Sequence, residues 1–309
     1  MNFELKTYAS SAQAWRRGVE RCILAEPLFD ARASQASLAH GGGHRPEAVF
    51  MGVGLCAREE LSRAVPLSLL GMLLPAEILR RELKASSLLV LIADTHALEN
   101  GFPAQAVEAR AKAMEAALGR VREACGLRSL EVLRASTFHS ARGYQAALAA
   151  MRRKAGRTHG YLLRQFADLA FLGRERGPLL KVGWALRGSD PFRQRDERIL
   201  DRTLRGLGEP LESVYCKPAR TLADEAPRMP PYVVKRPEAR LCIDRREDAA
   251  AKLARAERES SPQTVAAFRR QLRRLIYTWS REVRPLPHGP LESRVAALLA
   301  QLVPVGRAG

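Results

Sequence analysis

The sequence predicts an α/β protein with a Rossmann-like parallel sheet flanked by helices and a helical C-terminal part. Two observations support this prediction. Short apolar runs of the kind that form buried parallel strands alternate with longer helical patterns. Two of these runs end in residues typical of a ligand-binding edge, one in Gly54 and the other in Asp94.

The strands are predicted from the apolar runs, and the helices from apolar positions three and four residues apart. The predicted strands are 47–54, 88–94, 130–133, 179–184 and 214–216. The segment 95–100 is predicted to be a loop. The predicted helices are 58–86, 104–125, 137–154, 158–172, 193–204, 244–259, 264–283 and 291–302.

The chain is predicted to have three parts. Residues 1–45 combine a short amphipathic start with a glycine-rich loop. Residues 46–226 are expected to form the Rossmann-like catalytic domain. A group of prolines that begins at Pro227 marks the change to a third part, a loop and basic helical region over 227–309.

The charge balance favours a polyanionic partner. The 309 residues contain 51 lysines and arginines against 33 acidic residues, which gives a formal net charge of +18. We expect nucleic acid rather than a membrane as the partner, and the alternative is an ordinary basic protein without such a partner.

Several classes of protein are disfavoured because their patterns are missing. No apolar run reaches the roughly 20 residues that span a membrane, and the sequence contains no secretory signal and no GxxxxGK[ST] phosphate loop. The five cysteines are scattered without CxxC spacing, which predicts a reduced, cytoplasmic protein. We expect no metal and no cofactor, and we interpret the pair His40 and His44 as part of a flexible loop.

The exit of the second predicted strand is the first candidate site. Asp94 ends the apolar run, and His96 and Asn100 follow within the predicted loop. Polar groups at the carboxyl end of a parallel strand lie at the ligand-binding edge of the sheet. The alternative is structural, with Asp94 capping the turn and His96 packed beneath it.

A polar stripe on a predicted helix is the second candidate site. Tyr161, Gln165 and Asp168 are four and seven residues apart, so they share one helix face. A carboxylate, an amide and a phenol in this arrangement suit an α-ammonium group. The alternative is a solvated or interhelical polar face.

These segments resemble tyrosyl- and tryptophanyl-tRNA synthetases. Residues 91–98 read LIADTHAL and resemble the I/V-A-D-x-H-A strand and loop of those enzymes. Residues 161–168 read YLLRQFAD and resemble the Y-x-x-x-Q-x-x-D helix that holds the amino acid in the tyrosyl enzymes. Residues 241–256 are similar to the segment that follows their second ATP motif. The resemblance covers about 49–257 and implies a class I synthetase-like core.

Both ATP motifs of that family are absent. The stretch after the first strand, 52–57, reads GVGLCA in place of HxGH, and 232–239 reads YVVKRPEA where KMSKS is expected. Without the groups that stabilise the phosphates, adenylate formation loses its electrostatic support. We therefore expect no amino-acid activation by ATP.

A class I core without ATP motifs resembles the cyclodipeptide synthases, which join amino acids from two aminoacyl-tRNAs into a diketopiperazine. Gly54 stands where that family has its nucleophilic serine, and Cys56 is a candidate acyl acceptor two residues on, with a small buried residue as the alternative. Gln165 replaces a glutamate typical of the family. The segments 181–184 and 195–201 resemble the divergent, arginine-using members.

The resemblance implies roles for the candidate residues. Asp168, Gln165 and Tyr161 would hold the ammonium group, with Tyr161 relaying a proton. The expected substrate contacts are Gly52, Gly54, Asp94, His96, Asn100 and Trp184, and an acidic set for a guanidinium is Asp190, Asp196, Glu197 and Asp201. A charged helix face is the alternative for the acidic set.

A basic helix near the C-terminus is the expected tRNA contact. Its arginines Arg269, Arg270, Arg273 and Arg274 would bind phosphates without reading the base sequence, and a solvated surface helix is the alternative. Two other functions remain open for the whole chain. One is a different aminoacyl-tRNA transferase, and the other is a non-catalytic tRNA-binding paralogue of a synthetase.

Overall fold

A computed structural model describes residues 2–38, 44–55, 65–155, 160–184, 212–216, 242–243 and 262–302. The strands are β1 (Ala48–Gly54), β2 (Val65–Pro66), β3 (Ser87–Ala93), β4 (Leu130–Arg134), β5 (Leu179–Trp184), β6 (Glu212–Cys216) and β7 (Cys242–Ile243). The helices are α1 (Asn2–Ala25), α2 (Ala31–Leu38), α3 (Leu67–Leu83), α4 (Asp94–Glu99), α5 (Ala104–Cys125), α6 (Arg142–Ala155), α7 (Gly160–Arg176), α8 (Pro262–Glu282) and α9 (Leu291–Leu302). None of these helices is long and apolar enough to cross a membrane.

The central feature is a five-stranded parallel sheet with the strand order β4-β3-β1-β5-β6. Its inner strands are apolar on both faces, and Val49, Leu88 and Leu180 are completely buried, as expected when helices cover both sides. The predicted α/β fold with a Rossmann-like parallel sheet is therefore confirmed. Strands β2 and β7 form a separate antiparallel pair.

Helices α6 and α7 cover one face of the sheet. Phe50 of β1 and Leu91 of β3 pack in one core with Tyr144 and Leu148 of α6 and with Phe166 of α7. The chain turns from α7 into the beginning of β5, so α7 runs back along the sheet and its first half lies toward the carboxyl edge. This orientation places the polar positions of α7 at the edge where ligands bind in folds of this class.

The region between β3 and α5 departs from the prediction. The predicted loop 95–100 is wrong, because α4 runs from Asp94 to Glu99. A helix of six residues is too short to show a 3.6-residue period, but its acidic first residue favours the helix N-terminus. The helix is followed by Gly101, whose φ of +81° suits a glycine.

The N-terminal residues also contain more helix than predicted. Helices α1 and α2 fill much of the segment predicted to hold a short amphipathic start and a loop. Ser34 of α2 accepts a hydrogen bond from the Tyr215 amide at 2.9 Å, which attaches α2 to the edge strand β6. Arg16 of α1 pairs with Glu212 of the same strand at 3.1 Å.

The chain divides into two compact units that are each discontinuous in sequence. One contains Met1–Gly54, Pro75–Phe102 and Ser129–Lys217, and includes the parallel sheet. The other contains Leu55–Leu74, Pro103–Arg128 and Pro218–Gly309. The three-part division at 45 and 226 stays a prediction.

In the second unit, α8 packs on α9 through its apolar face. Leu272, Leu275, Ile276 and Trp279 are buried, as the amphipathic pattern predicts. The Trp279 indole nitrogen donates a hydrogen bond to the Gln301 side chain at 3.0 Å. The predicted helices at 193–204 and 244–259 lie outside the described residues.

Candidate functional site

The candidate site centres on the carboxylate of Asp168 on α7. This side chain is 1% exposed, and both of its oxygens are contacted by histidines. The Nε2 atom of His139 lies 2.8 Å from Oδ1, and the Nε2 atom of His96 lies 2.9 Å from Oδ2. A buried carboxylate thus lies between two imidazole rings.

Three segments at the carboxyl edge of the sheet bring these groups together. His96 lies on α4, directly after β3. His139 follows the 3₁₀ turn Ala135–Thr137 that ends β4. Since β3 and β4 are neighbouring parallel strands, their exits meet at one edge, where the first half of α7 supplies Asp168.

The contacts of His139 define its tautomer. The Nδ1 atom of His139 lies 3.3 Å from Arg164 Nη1, and a guanidinium can only donate hydrogen bonds. Nδ1 is therefore the acceptor, and the ring proton resides on Nε2, which donates it to Asp168. Arg164 also forms an ion pair with Glu99 at the end of α4. The result is a continuous chain of contacts from Glu99 through Arg164 and His139 to Asp168.

Aromatic packing holds His139 in place. Its ring stacks on Tyr144 with centroids 4.1 Å apart and a 12° angle between the planes. Phe138 contacts both rings edge to face. Burial, together with the nearby Asp168 charge, raises the pKa of Tyr144 well above its ordinary range, so the phenol stays neutral.

Asp168 itself remains ionised. Burial acts to raise the pKa of this carboxyl, but the hydrogen bonds from His139 and His96 outweigh burial and lower the pKa below its ordinary value. The site therefore presents a fixed negative charge in a region from which water is largely excluded. Such a charge interacts strongly with a cationic group.

The same residues form a set that could in principle hold a metal. Ligand atoms of His96, His139 and Asp168 all lie within 4.8 Å of one another, and two histidines with a carboxylate are typical metal ligands. A metal at His139 Nε2 needs the lone pair of that nitrogen and puts the proton on Nδ1, facing the Arg164 donor. The donor arrangement therefore fits a hydrogen-bonded carboxylate better than a metal site, and the absence of a metal stays a prediction.

Asp94 has a structural environment. Its carboxylate accepts hydrogen bonds from the Thr95 amide, from both the amide and hydroxyl of Ser136, and from Arg134 at 3.1 Å. These contacts join the exit of β3 to the exit of β4. The alternative of a turn-stabilising aspartate fits this environment, and substrate binding by Asp94 stays a prediction.

Among the described residues, none fills the space at Gly52 near the end of the central strand. Alternation along β1 puts Phe50, Gly52 and Gly54 on one face. Phe50 is buried under the helices, whereas Gly52 is exposed and a Cβ atom there would meet no described residue within 4 Å. The register pairs Gly54 with Ala93, directly before the helix that carries His96. As far as the described residues go, the end of β1 leaves room for a ligand next to the helix that carries His96.

Some of the predicted site residues lie together in the structure, and others are not among the described residues. Asp168 and His96 meet, Gln165 is half-buried on the same helix, and Asn100 is exposed after α4. The helix carries Tyr161 and β5 ends at Trp184, but nothing is described of either side chain. The residues that lie outside the described part of the chain are Cys56, Asp190, Asp196, Glu197 and Asp201.

The predicted tRNA-contacting arginines differ in exposure. Arg270 and Arg273 are exposed, and Arg274 is half-buried. Arg269 is half-buried and forms an ion pair with Glu292 at 2.9 Å. Phosphate binding by these residues stays a prediction.

Four residues of the cluster were not identified from the sequence: His139, Tyr144, Arg164 and Glu99. His139 follows the third predicted strand, just as His96 follows the second, so its position after β4 was a usable signal. Arg164 stands one turn before Asp168 on the same helix. The sequence around Tyr144 does not indicate a place in the site, because its role depends on stacking with His139.

Solved structures share this architecture. Tyrosyl-tRNA synthetase from Aeropyrum pernix matches with a TM-score of 0.56 at 16% identity, over 94% of this chain and 92% of that chain. The Archaeoglobus fulgidus tyrosyl-tRNA synthetase complexed with L-tyrosine matches with a TM-score of 0.56 at 15% identity, over 93% of this chain and 97% of that chain. Plasmodium falciparum tryptophanyl-tRNA synthetase matches with a TM-score of 0.58 at 10% identity, over 94% of this chain and 87% of that chain.

These comparisons define a class of fold. The parallel sheet with its flanking helices is a class I tRNA synthetase-like Rossmann fold. No family model matches the sequence, and no curated protein matches it. Since the identities are low, the similarity establishes the fold and leaves the reaction to the residues of the site.

Proposed function

We propose that this protein is a tRNA-dependent cyclodipeptide synthase that joins two aminoacyl groups without ATP. The observation that carries the proposal is the buried Asp168 carboxylate, fixed between two histidines at the carboxyl edge of the sheet. This arrangement belongs to a synthetase-like fold, in a chain whose sequence lacks both ATP motifs.

Asp168 is the proposed anchor for the α-ammonium group of an aminoacyl-tRNA. Each carboxylate oxygen has two lone pairs, and one histidine contact per oxygen leaves acceptor capacity for a cation. His139 and His96 fix the carboxylate, so little reorganisation is needed on binding. A solved structure of similar fold is complexed with L-tyrosine, which supports an amino acid as the ligand proposed here.

The proposed reaction consists of two acyl transfers. The amine of one aminoacyl group attacks the ester carbonyl of the other, forming an amide bond as the bond to the ribose oxygen breaks. The amine loses a proton, and the departing ribose oxygen gains one, with Tyr161 as the proposed carrier. The second amine then attacks the remaining ester in the same way, which closes the ring and releases the second tRNA. Because the esters are already activated, catalysis is mainly orientation.

The finer proposal is that one amino acid is arginine. It depends on the acidic residues Asp190, Asp196, Glu197 and Asp201, which suit a guanidinium by charge. An arginine-containing product would support this part, and a product of neutral amino acids alone would overturn it without affecting the reaction type.

The test is mass spectrometry of the medium from bacteria that express the chain. A new cyclic dipeptide is expected, absent from an empty-vector control and lost with Asp168→Asn. Glu123→Gln, which neutralises an exposed carboxylate on α5, serves as the control and should keep full production. Unchanged production by Asp168→Asn would remove this residue from the site.

A second candidate function is a non-catalytic tRNA-binding protein. The observation in its favour is the enclosure of Asp168, which is only 1% exposed and already contacts two histidines. Filter binding with aminoacyl-tRNA separates the two proposals. Tight binding without a cyclic dipeptide favours the binding protein, whereas transfer of a labelled amino acid to a different acceptor indicates another transferase.

A further inference from the structure

An exposed tyrosine stands among arginines on α8. Tyr277 is 55% exposed, although aromatic side chains usually gain from burial. Among the described residues, the large hydrophobic side chains with this degree of exposure are Leu24, Leu98 and Tyr277, so Tyr277 is the aromatic one. The guanidinium of Arg281 lies 5.4 Å from its ring centroid, which keeps the ring in a defined position.

The exposed arginines share one face of the helix with this ring. Arg270, Arg273, Tyr277 and Arg281 are spaced three or four residues apart, and all are exposed. These four residues form the basic-aromatic stripe. The opposite face is the one that packs against α9 through Trp279 and its neighbours. The stripe is therefore an outward surface, about 17 Å long between Arg270 and Arg281 at 1.5 Å per residue.

The charge of the stripe selects an anionic partner. Within the described part of the chain, no carboxylate contacts Arg270 or Arg273, whereas Arg281 forms an ion pair with Glu282, the acidic residue of α8, at 2.6 Å. A planar ring between cationic groups is typical of surfaces that bind single-stranded nucleic acid, because bases stack on the ring while arginines contact phosphates. A duplex keeps its bases stacked internally and offers no free base face.

We propose that the basic-aromatic stripe binds a single-stranded segment of RNA, with Tyr277 stacking on an unpaired base. The proposal uses the proposed function only for the choice of RNA among polyanions. Binding is measured without turnover, so its failure and the failure of the synthase activity are distinguishable.

The test is fluorescence anisotropy with the full-length chain and a labelled single-stranded RNA oligonucleotide, alone and annealed to its complement. We expect tighter binding of the single strand. Tyr277→Ala should weaken it about tenfold, within the range found for one base stacked on an aromatic ring. Tyr277→Phe should bind like the wild type, and Tyr277→Leu, which is apolar but not planar, should bind like the alanine variant.

Two further measurements separate stacking from charge. Arg273→Gln should weaken binding and reduce the salt slope by about 0.7, as expected for one lost phosphate contact with a single strand. Leu24→Ala, at an exposed apolar residue on α1, should change neither quantity. Equal affinity of the Tyr277→Ala variant and the wild type overturns the proposal. Anionic vesicles that bind the chain and are not displaced by the oligonucleotide also overturn it.

Discussion

At the scale of single residues, the site depends on which atom donates to which. Arg164 can only donate, so it makes His139 Nδ1 an acceptor and directs the Nε2 proton to Asp168. The sequence identified Asp168 and His96 as polar residues at the right edge, but it does not show that they meet. Contacts between side chains far apart in sequence depend on the register of β3 and β4 and on the orientation of α7. For that reason His139 was missed.

The first prediction concerns the stability contributed by Asp168. Its pKa in the folded protein is lowered, so its contribution is present above the unfolded pKa of about 4 and is lost as the pH falls through the lower folded value. Asp168→Asn should reduce the free energy of unfolding by about 2 kcal/mol at pH 7. The difference from the wild type should shrink as the pH falls below 4.

Urea denaturation followed by circular dichroism at several pH values measures this difference. Glu123→Gln is the matched control, because its carboxylate is exposed and should contribute little at any pH. A deficit of the Asp168→Asn variant that grows as the pH falls below 4 would contradict an ionised carboxylate.

The second prediction concerns the open space at Gly52. Valine is well suited to a strand, and its Cβ at this position would meet no described residue within 4 Å, so Gly52→Val should fold with unchanged stability. Because the valine side chain would occupy the space proposed for the substrate, it should lower product formation by at least tenfold. Product formation and thermal unfolding are measured on the same preparation.

Gly119→Val is the control for Gly52→Val, because a Cβ at that position on α5 would also meet no described residue within 4 Å. This variant should keep full activity. If Gly52→Val is fully active as well, the substrate does not lie over the end of β1.

At the scale of elements, long or strongly apolar segments were predicted correctly, and short segments were not. Strand β5 was predicted with the boundaries that the structure has, because an apolar run between turn signals identifies a buried strand. The six-residue α4 was missed because it is shorter than two turns, and tertiary contacts of His96 and Asp94 hold it. The N-terminal helices were underestimated because their helical pattern depends on contacts with β6.

The third prediction concerns the connection from α7 to β5, which fixes the orientation of the site helix. Gly177 has a φ of +82°, and an added Cβ would lie 2.8 Å from Glu47 Cγ. Gly177→Ala should therefore destabilise the protein by about 2 kcal/mol, from backbone strain and steric overlap together. Thermal unfolding measures the effect.

Gly173→Ala provides the contrast within the same helix. Its Cβ would meet none of the described residues within 4 Å, and alanine is a better helix former than glycine, so this variant should be more stable by up to about 1 kcal/mol. If both variants shift the melting temperature in the same direction, the left-handed turn at Gly177 does not restrict the connection.

At the scale of the whole molecule, a synthetase-like fold is combined with a strongly basic chain whose sequence lacks the ATP motifs. The fold was predictable because alternating apolar and amphipathic segments indicate the order of strands and helices. The net charge of +18 can also be counted from the sequence, and it favours a polyanion over a neutral partner. Neither property specifies the reaction, which depends on the few groups that remain at the edge of the sheet.

The fourth prediction is that the chain does not activate amino acids with ATP. Adenylate formation moves negative charge onto the departing pyrophosphate, and enzymes stabilise that charge with groups already in place. The stretch 52–57 has no histidine, and 232–239 has no KMSKS sequence, so those groups are missing. ATP–pyrophosphate exchange with each of the twenty amino acids should stay at the level of a blank without protein.

A tyrosyl-tRNA synthetase in the same assay shows that exchange is detectable. Exchange by this chain above the blank would contradict the prediction and favour a synthetase with unconventional phosphate contacts. Absence of exchange together with a cyclic dipeptide from purified aminoacyl-tRNA, in a reaction without ATP, is the combination expected here. In that case the energy of the amide bonds comes from the ester bonds of the two aminoacyl-tRNAs, and the protein contributes orientation and a fixed negative charge.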